Sequence, residues 1–93
     1  MNKKGRRALH VVEEILRRWD PIGVRPGVLA PADEYDGYAG AILSLVAGGA
    51  SVRELAEYLA KIRGEMMELA PDPERDLATA REIIAALGRQ ADD

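Results

Sequence analysis

Ninety-three residues make about one domain, and a hydrophobic share of 47% supplies a folded core rather than a disordered chain. The lack of cysteine excludes disulfides and thiolate metal sites, and a chain this short buries only roughly 60–65% of its unfolded surface. The net charge of −3 hides an asymmetry: Lys3, Lys4, Arg6, Arg7, Arg17 and Arg18 against Glu13 and Glu14 give residues 1–19 a local +4, so residues 20–93 carry −7.

The first helical pattern covers residues 5–19. On a 100° step, Ala8, Leu9, Val11, Val12, Ile15, Leu16 and Trp19 share an arc of about 160°, with His10, Glu13, Glu14 and Arg17 on the other side. Pro21 disfavours the α conformation at Asp20 and has no N–H, so the helix stops at Trp19. Residues 20–32, with three prolines and two glycines, read as an ordered loop. Its Ile22, Val24, Val28 and Leu29 are expected to pack across the helices.

A second helix is expected over 33–47, with Asp33 as N-cap and Glu34 and Asp36 at the positive end of the dipole. Gly48-Gly49 ends it. Tyr35, Tyr38, Ile42, Leu45 and Val46 gather on one face. Gly37, Gly40, Ala41, Ser44 and Ala47 gather on the other. Glycine in a helix costs up to about 1 kcal/mol against alanine, so the small face predicts a close-approaching backbone, either within the fold or from a second copy in a homo-oligomer.

The third helix is expected over 51–69. Ser51-Val52-Arg53-Glu54 spells a capping box, and Val52, Leu55, Tyr58, Leu59, Ile62, Met66 and Leu69 form one stripe. Glu57 and Lys61 are spaced to pair across one turn. A fourth helix is expected over 73–88, with Asp72 as N-cap, Pro73 at the first helical position and Gly88 as the stop. Leu77, Ala80, Ile83, Ile84 and Leu87 make its stripe, and residues 89–93 are expected to be an unstructured tail. Four amphipathic segments without a strand pattern make an all-α class, a single-domain bundle of about four helices with one longer loop between the first two.

Chemistry is sparse. His10 is the single histidine and projects away from the apolar arc, so no paired-histidine metal motif is possible. Asp33, Glu34 and Asp36 cluster, yet "DEYDG" fails the calcium-loop template: with Gly37 at the sixth position, Ala32 and Leu43 stand at the first and twelfth. Ser44, Ser51 and Thr79 have no base near them in sequence. Gly37-Tyr38-Ala39-Gly40 has the spelling of an RNA-clamping loop but lies in a helical pattern without the sheet such a loop needs. No catalytic residue, metal site or cofactor is therefore expected, and the chain is expected not to be an enzyme. No apolar run reaches the ~18–20 residues of a membrane span, and no apolar h-region follows the basic start. A cytoplasmic protein with no membrane partner is expected.

Taken as an ordered set, Trp19-Asp20-Pro21-Ile22-Gly23 closing a first helix, Asp33-Glu34-Tyr35-Asp36 opening a second, and "YLAKIRGEMMEL" over 58–69 resemble the YugE-like family of small bacterial proteins. The resemblance spans roughly residues 8–70. It implies a compact all-helical bundle of unknown function, and no catalytic residues come with it. The expected function is a protein–protein interaction module acting through an acidic-aromatic patch of Asp20, Asp33, Glu34, Tyr35, Asp36 and Tyr38. Such a patch would neutralise a basic protein partner, as immunity or antitoxin proteins do. The alternative is nucleic-acid binding through the basic face of the first helix.

Overall fold

The computed structural model describes residues 3–20, 35–66 and 68–91, and these contain four α-helices and no strand. Helix α1 runs Lys3–Trp19. Its predicted arc is the buried one: Val12, Ile15, Leu16 and Trp19 lie in the core, with Ala8, Leu9 and Val11 half-buried against it. The stop falls where proline chemistry puts it. Asp20 adopts a left-handed φ of 38°, and its N–H bonds the Leu16 carbonyl at 3.1 Å. Aspartate enters this region more readily than most side chains, and Pro21 denies it the α alternative. The rest of the expected 20–32 loop, with Ile22, Val24, Val28 and Leu29, lies outside the described residues, as does the expected cap at Asp33.

The second helix is shorter than its pattern. A 3₁₀ turn at Asp36–Tyr38 precedes α2, which runs Ala39–Ala47. The Tyr38 N–H bonds the Tyr35 carbonyl at 3.1 Å, an i→i+3 closure that keeps this stretch out of the α-helix. Ala39 and Ile42 are buried, and Leu43, Leu45 and Val46 are half-buried. A Schellman motif closes the helix. Gly49, at φ 92°, lets the Ala50 N–H reach the Leu45 carbonyl and its own N–H reach the Val46 carbonyl, both at 3.0 Å. The expected close approach on the small face is not found among the described residues. Gly40, Ala41, Ser44 and Ala47 face solvent, and a Cβ at Gly37 or Gly40 would meet nothing within 4 Å.

Helix α3, Val52–Lys61, begins with the capping box the sequence spells. Ser51 Oγ accepts from the Glu54 N–H at 3.1 Å, and Glu54 Oε1 accepts from the Ser51 N–H at 3.0 Å. The backbone hydrogen bond, seconded by that from the serine side chain, lowers the Glu54 pKa from its ordinary 4.5. Leu55 and Leu59 are buried. Glu57 pairs with Arg53 at 3.6 Å, one turn towards the N-terminus, rather than with Lys61.

The expected continuation to residue 69 is not α-helical. Ile62–Met66 forms a π-type turn. Glu68 at φ 55° then lets the Leu69 N–H reach the Arg63 carbonyl at 2.9 Å. A short connection leads to α4, Pro73–Ala91. Asp72 caps it as expected, its carboxylate accepting from the Arg75 N–H at 3.3 Å. Gly88 does not stop the helix, which runs through three residues of the expected tail. Helix α4 packs against both α3 and α1, and α1 packs in turn against α2. Ala80, Ile83 and Leu87 thereby meet the buried faces of the other helices.

The capping box makes a direct prediction. Ser51→Ala should lower stability by about 1 kcal/mol at neutral pH in urea unfolding. Because the Glu54 pKa is lowered in the fold, its contribution is present above the unfolded pKa and lost as pH falls through the lower folded one. The gap between the parent and Glu54→Ala, which removes that carboxylate, should therefore narrow on acidification below about pH 4.5, the ordinary value.

Candidate functional site

The polar chemistry of the described residues concentrates where the C-terminus of α1, the π-type turn and the first turn of α4 converge. Two charged residues are buried there, Arg63 at 4% and Asp76 at 1% exposure. The Arg63 guanidinium donates to Asp76 through Nη2 at 2.6 Å and through Nε at 3.2 Å to both carboxylate oxygens. The Trp19 indole Nε1–H donates to Asp76 Oδ1 at 2.8 Å. Arg63 also stacks towards the indole, its Cζ 5.6 Å from the ring centroid, so the cation has a π-face as well as a counter-ion. Local structure favours both charges. Asp76 lies in the first turn of α4, where the dipole stabilises an anion, and Arg63 follows the last turn of α3, where it stabilises a cation.

A second polar layer lies beside the first. The Trp19 and Tyr35 rings meet at 6.0 Å between centroids, tilted by 59°. Tyr35 is fully buried, and its hydroxyl donates to Asp20 Oδ1 at 2.5 Å. Arg17 Nη2 donates to Asp36 Oδ2 at 3.2 Å, while Arg17 Nε and Asp36 Oδ1 are buried with no hydrogen-bond partner.

The structure thus brings Asp20, Tyr35 and Asp36 together at the end of α1, as the patch requires, but in internal bonds. Tyr35 presents no surface to a partner, because its ring fills the space beside Trp19 and its hydroxyl reaches Asp20. Tyr38 is half-buried against the core. Asp33 and Glu34 lie outside the described residues. Among the basic residues of α1, Arg17 is tied to Asp36 and Arg18 to Glu82 at 3.0 Å, while Lys3, Arg6 and Arg7 are exposed. His10, with 78% of its side chain exposed, sits 3.1 Å from Glu13. Among the described residues no three of histidine, aspartate and glutamate gather closely enough to hold a metal ion. No described helix is long and apolar enough to cross a membrane.

Sequence reasoning missed Arg63 and Asp76, although a signal was present. On the 100° step Asp76 projects within about 20° of Ile83 and Leu87, and Arg63 within about 40° of Leu59. A cation on one apolar arc and an anion on the next are a pair waiting to be joined. Chemically the node is a joint: the carboxylate is saturated by three donor groups and closed to water. Comparison of the chain with protein-family models, with curated proteins and with solved structures finds no match in any of the three.

Replacing Trp19 by Phe keeps an aromatic ring in the core but removes the donor to Asp76. Trp19→Phe should cost about 1.5–3 kcal/mol, the range for a hydrogen bond to a charged group. Urea unfolding followed by circular dichroism measures it.

Proposed function

We propose that this protein is a small, non-enzymatic protein–protein interaction module. The observation that carries the reading is the outer face of α2. From Ala39 to Ala50 the chain has no charged residue, in a protein that is 31% charged. A helix apolar around most of its circumference is normally buried, yet Gly40, Ala41, Ser44 and Ala47 stand exposed to solvent. The flat, uncharged strip lets a partner approach closely, and charge depletion of this kind marks the centres of protein interfaces.

Asp36 and Tyr38 lie at the entrance to this face and form the described edge of the acidic-aromatic patch. Asp33 and Glu34 adjoin them in sequence. Asp20 and Tyr35 act as its support, since their hydrogen bond holds the start of the second helical segment against the end of α1. With that acidic edge, a basic partner is the better match, in the manner of immunity or antitoxin proteins. The resemblance to YugE-like proteins, and with it a bacterial, cytoplasmic setting, belongs to the same proposal. Nucleic-acid binding through α1 is less well supported, because Asp36 and Glu82 pair with two of its arginines and Glu14 is exposed on the same helix.

Ala41→Arg combined with Ser44→Arg places two charges on the outer face without touching the core. Capture of the partner from the native lysate should fall at least tenfold while circular dichroism and the unfolding midpoint stay unchanged. Undiminished capture by a folded variant would refute the reading.

A further inference from the structure

A concave feature lies between α1 and α4, away from the residues of the α2 face. It is an open cleft of about 260 Å³ whose lining includes Ile15 and Ala78 as aliphatic groups and Arg18, Arg75 and Glu82 as charged ones. Ala78 is exposed between them, and its short side chain leaves α4 indented. Arg18 bonds Glu82 at 3.0 Å. The Arg75 guanidinium has no carboxylate partner among the described residues; its hydrogen bond there is from Nη2 to the Arg18 carbonyl, at 3.4 Å. That bond leans the Arg75 side chain towards α1. The charged lining, two arginines and one glutamate, is therefore net positive by one, in a chain whose net charge is −3.

We propose that this cleft receives an acidic side chain, with an apolar neighbour, from a protein partner. The cleft is open and lies at the small end of the roughly 300–1,000 Å³ of pockets for whole small molecules, which favours a side chain over a free metabolite. Charge complementarity decides the sign, since an arginine without a counter-ion is the group best shaped for a carboxylate. The aliphatic groups of Ile15 and Ala78 suit a methylene stem or a leucine beside that carboxylate. The Thr79 hydroxyl, also on the lining, supplies a further donor. The proposal rests on the interaction-module reading but uses a different surface from the α2 face.

The test is a titration of the full chain with a blocked peptide, acetyl-Ala-Leu-Glu-Glu-Leu-Ala-amide, followed by amide chemical shifts and by fluorescence of Trp19, the only tryptophan, which also lines the cleft. Saturable shifts at Ile15, Arg18, Ala78 and Thr79 are expected at millimolar peptide. They should weaken at least tenfold in Arg18→Gln with Arg75→Gln, and at least threefold when sodium chloride rises from 50 to 300 mM. The Gln-Gln peptide should leave them absent. No saturable shift, equal binding of the two peptides, or inorganic phosphate shifting the same residues equally well would overturn the proposal. Circular dichroism of the double variant verifies its fold, and Arg75→Ala alone, which leaves the Arg18–Glu82 pair intact, should still weaken binding. Ala41→Arg with Ser44→Arg should leave this titration unchanged, so failure of the cleft and failure of the α2 face are read separately.

Discussion

One carboxylate ties the bundle together. Asp76 takes hydrogen bonds from the indole of α1 and from the guanidinium that follows α3, while its own backbone belongs to the first turn of α4. Removing an ion pair from water costs several kcal/mol per charge even after relaxation. Here short charge-assisted bonds, the indole donor and two helix dipoles offset that cost. A hydrophobic contact tolerates sliding by a few ångströms, whereas this node does not. Its consequence is registry: Trp19, Arg63 and Asp76 meet only if α1, α3 and α4 are fixed both in rotation and in height. For a chain with a small core, such specificity matters as much as net stability.

The node also explains the neighbouring features. With its Nε1–H turned to Asp76, the Trp19 ring offers its other contacts to Tyr35, which closes the core at the point where α1 ends. Tyr35 then holds Asp20, whose left-handed backbone turns the chain out of the helix. Thus the Trp-Asp-Pro spelling is architecture: the indole is a joint, the aspartate a turn and an acceptor, and the proline the stop.

Periodicity made the helices and their buried faces readable, because a 100° step sorts Val12, Ile15, Leu16 and Trp19 from His10 and Glu14 without any tertiary information. Local capping was equally readable at Ser51, Asp72 and Gly49, where the partners lie within a few residues. What could not be read depends on distance in sequence. The Trp19–Asp76 bond joins residues 57 apart, and the Tyr35–Asp20 bond joins residues 15 apart. Assigning charges to the wet face by residue type hid Arg63 and Asp76, although their angular positions placed both among apolar side chains. The small-residue face of the second segment is exposed rather than covered by another described helix, and Gly88 lies inside α4, where packing against α1 and α3 outweighs a cost of about 1 kcal/mol.

If the node sets the register of three helices, Arg63 and Asp76 must be strongly coupled. A double-mutant cycle with Arg63→Met, Asp76→Leu and the pair together, followed by urea unfolding, measures that coupling directly. Each single variant strands a buried polar partner and should lose about 3–5 kcal/mol, while the pair, which leaves only the Trp19 N–H without its acceptor, should lose much less than the two losses combined. Additive losses, with a coupling energy near zero, would contradict the account.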